Sequence, residues 1–297
     1  MLKHPALTDA LARWPRALVV EAVRAELEAA RAQIKRAPGS VPDVASLATA
    51  AATSAATLGR PTLRRVLNAT GVVLHTNLGR APLAESARRA VAEVAAGYSS
   101  LEYELSSGSR GDRGAGVERW LMRLTGAEAA LTVNNGAAAI LLALSALASG
   151  RRVVVSRGEL VEIGGAFRIP EILEKSGATL VEVGATNRTH LRDFERAFEQ
   201  HDRIGAILRV HRSNFRMDGF TADPERLGLL KLARKHKVPM IEDLGSGALV
   251  NFADFGLEHE PTIAECLASG ASVVTCSGDK LLGGAQAGLV LGAKKWV

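Results

Sequence analysis

The stretch Ser277-Gly-Asp-Lys-Leu-Leu-Gly-Gly284 directly follows an apolar, strand-like run, Ala271-Ser-Val-Val-Thr-Cys276. An ordinary surface lysine needs no such frame of hydroxyl, acid and glycines. A lysine whose nitrogen must meet a flat, phosphorylated cofactor does need it. The strand delivers Lys280 to one end of a sheet, and Gly283 and Gly284 let backbone pass close by. Whether that reading holds depends on what the rest of the chain places around Lys280.

From Arg65 onward, strand-like runs alternate with helical stretches. Ala130–Val133 precedes Ala137–Ala148, Arg152–Val155 precedes Ile169–Lys175, and Leu180–Val183 precedes Leu191–Glu199. The series continues with Ala206–Val210, Pro224–Lys235, Val238–Glu242, Thr262–Ala268, Ser272–Cys276 and Ala287–Leu291. Such alternation predicts an α/β fold, a mainly parallel central sheet covered by helices on both faces. In such sheets, ligands sit at the carboxyl ends of the strands. Ahead of this region, Leu18–Ile34 has apolar residues at helical spacing, Ala37-Pro-Gly-Ser-Val-Pro42 ends that helix, and Val44–Leu58 reads as a second one. Residues 1–60 are therefore expected to form a small helical domain, and residues 61–297 a large one. The ending at Gly292-Ala-Lys-Lys-Trp-Val297, just past a strand, is expected to mark a truncated chain.

At 297 residues and 47% hydrophobic content, the chain can bury a large core. Its longest apolar run, Ala137–Ala148, is too short to span a membrane. The start, MLKHPALTDALARWP, lacks the basic-then-apolar layout of a secretory signal. Cys266 and Cys276 are the only cysteines and form no CxxC pair, which argues against a disulfide framework or a zinc site. A cytoplasmic protein is expected. The net charge is +6, and residues 1–66 hold ten Lys/Arg against five acids, or +5 of it. A polyanionic partner for that segment and a solvated arginine-rich helix both explain the excess.

Three motifs carry the chemistry. Asn134-Asn135-Gly136-Ala137 follows the run ALTV and opens a helix, where small residues and free N–H groups favour a phosphate. A hairpin turn on Asn-Gly is the alternative. Asp243 follows the run VPMIE, and a carboxylate at a central strand end is costly to bury without a cation. The protonated ring nitrogen of pyridoxal 5'-phosphate is one such cation; a helix cap or loop acid is the other reading. Lys280 completes the set, with Ser277 placed to reach the same phosphate. Phosphate cradle, then acid, then lysine is the order required by pyridoxal phosphate enzymes of the aminotransferase-like fold. Arg80, Arg110 and Arg113 lie in loops and fit phosphate recognition, and His211 follows a strand and faces the expected site. No histidine pair has metal-ligand spacing.

The runs Val66-LNATGVVLHTNLGRAPL-Ala84, Leu124-TGAEAALTVNNGAAAILL, Ser156-RGELVEIGGAFRIP, Glu182-VGATNRTH, Val210-HRSNF, Asp243-LGSG and Ser277-GDKLLGG resemble the bacterial selenocysteine synthase family. The resemblance runs from about Arg65 to Leu291. It implies fold type I, pyridoxal phosphate on Lys280, a homodecamer ring built from dimers, and a small N-terminal domain that binds tRNA. It also implies an L-seryl-tRNA(Sec) selenium transferase activity, with seryl-tRNA(Sec) and selenophosphate as substrates and without DNA or membrane partners. The implied mechanism is β-replacement, with Lys280 removing the α-proton and Asp243 at the ring nitrogen. The cofactor set is then Lys280, Asp243, Asn135, Gly136, Ala137, Ser277 and His211. The substrate set is Arg80, Arg110, Arg113 and Asn214, with Arg80 joining Lys280 in the catalytic pair. The family usually carries asparagine at 136, an aromatic at 276, proline at 285 and threonine at 185, where this chain has Gly136, Cys276, Ala285 and Ala185. Two rival classes are a pyridoxal phosphate lyase acting on a small amino or sugar acid, and a non-catalytic tRNA-binding subunit. The first has no need of the basic helical segment, and the second no need of an intact Ser-Gly-Asp-Lys.

Overall fold

The structure, a computed structural model, describes residues 1–37, 39, 41–163 and 167–297. Pro38 and Ser40 of the helix-breaking segment, and residues 164–166 of the Ser156–Pro170 run, lie outside the described residues. The chain divides into two compact units, Met1–Leu67 and Asn68–Val297.

The first unit holds helices α1 (Thr8–Arg13), α2 (Arg16–Arg36) and α3 (Val44–Gly59). Asp43 caps α3, its Oδ1 accepting the Ser46 N–H at 2.7 Å. Ala48, Ala51 and Ala55 recur on one face of α3 and are fully buried against Leu7, Val19, Ala22 and Val23. Alanine at that spacing packs the face without bulky side chains.

The second unit opens with α4 (Glu85–Ala95), the hairpin β1 (Tyr103–Glu104) and β2 (Ser109–Arg110), and α5 (Ala115–Thr125). Then come β3 (Ala129–Val133), α6 (Gly136–Ala148), β4 (Arg152–Ser156), the hairpin β5 (Glu162–Ile163) and β6 (Phe167–Arg168), and α7 (Ile169–Lys175). β7 (Thr179–Val183), α8 (Leu191–Gln200), β8 (Ile204–Val210), α9 (Arg226–Lys235) and β9 (Met240–Gly245) follow. The last elements are α10 (Ile263–Ala268), β10 (Val273–Ser277) and β11 (Gly288–Gly292). Among the described residues, no helix is long and apolar enough to cross a membrane.

Seven strands form the central sheet in the order β3-β11-β10-β9-β8-β4-β7. The pairs β10–β9, β9–β8, β8–β4 and β4–β7 are parallel, and β11 runs antiparallel to both of its neighbours. Helices on both faces explain the unbroken apolar strands. In β4, Val153 and Val155 pack with Ile140, Leu144, Ile169 and Leu173, while Val154 packs with Phe194 and Leu229. Successive side chains point to opposite faces, so three consecutive valines fill two separate cores.

Two local expectations need correction. The strand carrying Asp243 runs to Gly245, so the acid lies inside β9 and does not follow it. Likewise Ser277 is the last residue of β10. The loop after β10 leads to the antiparallel β11, so Lys280 sits in a connection between neighbouring strands.

Candidate active site

β9 and β10 are parallel neighbours, which sets their carboxyl ends side by side. Thr275 stands directly opposite Asp243 and donates from Oγ1 to Asp243 Oδ1 at 2.9 Å. The register shifts after Thr275, and Cys276 pairs with Gly245. Lys280 returns over this point. Its Nζ lies 3.8 Å from where a side-chain carbon on Gly245 would sit. The Leu281 N–H donates to the Ser246 carbonyl at 3.0 Å and pins the loop there.

The electrostatics follow from burial. Asp243 is 7% exposed, and desolvation pushes its carboxyl above the usual range, against the Thr275 hydrogen bond and the nearby Lys280. Burial, with the Arg80 guanidinium beside it, draws the Lys280 amine below the usual lysine range. An acid pushed up and an amine drawn down near the carboxyl ends of neighbouring strands are the perturbations expected of a reactive site. Burial also pushes the Cys266 thiol to about 12 and raises that of Cys276, so neither is a nucleophile at neutral pH.

Next to the pair lies the start of α6. Asn135 is its N-cap, accepting the Ala138 N–H on Oδ1 at 2.8 Å, so its side chain already has a partner. The N–H groups of a first helical turn have no intrahelical acceptor. Gly136 faces Ser277 so closely that a Cβ there would come 2.4 Å from Ser277 Oγ. On β11, a Cβ on Gly288 would lie 1.9 Å from the Asn135 carbonyl, so only glycine lets the turn and the strand meet. The turn at Asn135 and Gly136 is thus held in close contact with Ser277 and with β11.

The arginines separate into two groups. Arg80, at a positive φ of 57°, turns back and places one guanidinium nitrogen 3.0 and 2.8 Å from the two oxygens of Asp279, next to Lys280. Arg110 and Arg113 both pair with Glu102 on the exposed β1–β2 hairpin. Among the described residues, no ion pair or hydrogen bond joins either of them to Lys280 or Asp243. Asn214 is exposed beyond β8. His211 is brought in, its main-chain N–H donating to the Asp243 carbonyl at 2.9 Å and its Nε2 lying 3.0 Å from Glu260 Oε1. Sequence reasoning missed Thr275, Asp279 and Glu260 as partners. Asp279 was in plain view beside Lys280, Thr275 was a hydroxyl among valines, and Glu260 had no signal at all. No group of three or more metal-ligating side chains occurs among the described residues.

Comparison with known proteins bears on this geometry. The family described as L-seryl-tRNA selenium transferase matches residues 66–297, and a second, selenocysteine synthase N terminal, matches residues 1–31. The chain belongs to the L-seryl-tRNA selenium transferase family. An L-seryl-tRNA(Sec) selenium transferase from Geobacter sulfurreducens is 50% identical over 300 residues, covering 100% of this chain and 64% of that protein. One from Nitratidesulfovibrio vulgaris is 50% identical over 292 residues, covering 97% of this chain and 62% of its own. The chain therefore spans somewhat less than two thirds of the length of these relatives in the selenium transferase family. The solved structure of D-glucosaminate-6-phosphate ammonia-lyase matches with a TM-score of 0.57 at 23% identity, over 74% of this chain and 56% of that one. That likeness is one of fold, and the fold is the fold type I, aminotransferase-like architecture.

Proposed function

We propose that this chain serves the pyridoxal phosphate-dependent replacement of the serine hydroxyl of seryl-tRNA(Sec) by selenium, with selenophosphate as donor. The observation that carries this reading is that Lys280, in the connection after β10, returns over the carboxyl-terminal part of β9 that holds Asp243, in a chain 50% identical to such a transferase along 100% of its length.

The residues present fit the cofactor. The buried Asp243 carboxylate calls for a cation, and a protonated pyridine nitrogen supplies one. Gly136 lets the start of α6 approach Ser277 so closely that a Cβ there would meet its hydroxyl at 2.4 Å, which sets free N–H groups and a hydroxyl together for a phosphate. Lys280 would hold the cofactor covalently, Asp243 its ring nitrogen, the Asn135–Ala137 turn and Ser277 its phosphate, and His211 its flank. When bound, pyridoxal phosphate supplies an electron sink for the charge left on the substrate α-carbon. Lys280 is the base for the α-proton: its depressed pKa raises the fraction of neutral amine at Nζ. Arg80, oriented by Asp279, offers a positive charge beside Lys280 to the anionic substrates. Arg110, Arg113 and Asn214 belong to the reading as substrate contacts of the exposed loops.

The Met1–Leu67 unit is read as the tRNA-binding part, because most of the net charge lies in its sequence. Self-association is supported by the exposed apolar residues of residues 68–125, among them Val73, Val91, Val94, Tyr98, Leu105 and Trp120. A homodecamer in the cytoplasm is the fuller form of this reading. The rival readings fare worse: a small-molecule lyase leaves the basic unit without a task, and a non-catalytic subunit leaves the Asp243–Lys280 pair without one.

The test is reductive trapping. Borohydride added to the chain with pyridoxal phosphate should attach the label to the Lys280 peptide and to no other. A label elsewhere, or none in excess cofactor, would sink the assignment.

A further inference from the structure

At the carboxyl end of β8 one histidine is held through both its main chain and its ring. The His211 main chain is tied to the Asp243 carbonyl at 2.9 Å, and its ring Nε2 meets Glu260 Oε1 at 3.0 Å. Glu260 reaches it from the segment just before α10. That segment is registered by the bridge Ala248↔Thr262 and by the capping box of Thr262 and Glu265. The carboxylate is therefore set by its own local structure, independently of β8.

An ionised carboxylate only accepts hydrogen bonds. Burial alone would push Glu260 up, but the bond from His211 opposes this and the net shift is downward, so Glu260 is ionised. The contact then places the imidazole proton on Nε2 and leaves Nδ1 as the free edge. The other charged groups around this ring are mostly committed to partners of their own. Arg212 pairs with Asp223, and Arg216 with Glu258, on the walls of the same cleft of about 550 Å³. His259 on the Glu260 segment leans instead on Glu265, at 3.6 Å.

Two side chains able to carry positive charge act on the buried Asp243: Lys280 and His211. In the function proposed above, on which this inference rests, Lys280 gives up its free ammonium to hold the cofactor. His211 then remains beside Asp243 as a neutral imidazole, and its role depends on which ring nitrogen carries the proton.

We propose that Glu260 is a positioning residue of the cofactor site, fixing the ring and tautomer of His211 beside Asp243. Glu260 touches neither cofactor nor substrate in this role. It acts through His211, as an outer carboxylate orients a metal-bound imidazole.

Two measurements test it. In the cofactor-free chain, ¹⁵N-histidine NMR should show His211 as the Nε2–H tautomer, and Glu260→Ala should turn it into a mixture. In titrations with pyridoxal phosphate followed by absorbance, Glu260→Ala should weaken binding about tenfold, the size seen when the outer partner of an oriented imidazole is removed. His211→Ala should weaken it at least as much, and the double variant no more than His211→Ala alone. Glu260→Gln keeps the volume and an acceptor, and should recover most of the affinity. Losses that add, an unchanged affinity in Glu260→Ala, or an unchanged tautomer would each overturn the proposal. If the unsubstituted chain takes up no pyridoxal phosphate, the fault lies with the proposed function, and the tautomer measurement still decides the role of Glu260.

Discussion

A carboxylate sealed inside a sheet, as Asp243 is, works against folding until a cation meets it. Its pKa is raised in the folded chain, so the folded state holds the proton more tightly than the unfolded one. The penalty is then absent below the ordinary carboxylate pKa and grows as pH rises towards the folded value. Asp243→Asn should accordingly stabilise the cofactor-free chain at neutral pH and leave it unchanged in strong acid. Thermal melts at the two pH values check this, with a gain of about 2–4 °C for each kcal/mol recovered. The same substitution should let pyridoxal phosphate bind but slow α-proton exchange about a hundredfold, the scale of losing one preorganised electrostatic partner. A variant that is both unstabilised and fully active would mean that Asp243 has another task. A stabilising change that costs function is the usual signature of a residue kept for chemistry.

At the scale of elements, the start of α6 combines a structural and a chemical duty. Asn135 satisfies one of the orphan N–H groups through its bond to Ala138, and the close contact with Ser277 depends on that turn staying in place. Asn135→Ala should cost about 1 kcal/mol, read as a lower urea midpoint with an unchanged slope. It should also weaken pyridoxal phosphate binding. Normal stability in that variant would show that the cap contributes nothing. β10 and β11 play the complementary part, since their connection carries Lys280 back over Gly245 and holds Asp279 against Arg80.

At the scale of the whole molecule, two surfaces are unaccounted for by the fold itself. One is the basic excess of the first unit. Deleting residues 1–67 should weaken tRNA binding and flatten its salt dependence by roughly 0.7–0.9 in log–log slope for each phosphate left without its cation. Identical affinity and slope would favour a small-molecule substrate. The other is the exposed apolar side chains of α4 and α5, where Val91 and Trp120 are 59% and 53% exposed. Charged substitutions there, Val91→Asp with Trp120→Asp, should lower the mass measured by light scattering without unfolding the chain. An unchanged mass would remove α4 and α5 from the assembly.

The sequence by itself determined the alternation of strands and helices, most element positions, and the three motifs at Asn135, Asp243 and Lys280, because these are written in local periodicity and local turn chemistry. Ile169–Lys175 matches its helix to the residue, and the strand before Lys280 is displaced by one. The boundaries failed where pairing outruns propensity, as at Asp243, which β10 draws into the ladder through Thr275. What only the tertiary structure decided is which side chains meet. Thr275 and Asp243 are 32 residues apart, His211 and Glu260 are 49 apart, and Arg80 and Asp279 are 199 apart. The first follows from the strand order β3-β11-β10-β9-β8-β4-β7, which is set by how the two cores close over the sheet, and the others from loops laid over the strand ends, as where the Ala81 N–H meets the Asp279 carbonyl at 3.2 Å. Hence the lysine and the acid were legible, while the groups that hold and tune them waited for the fold.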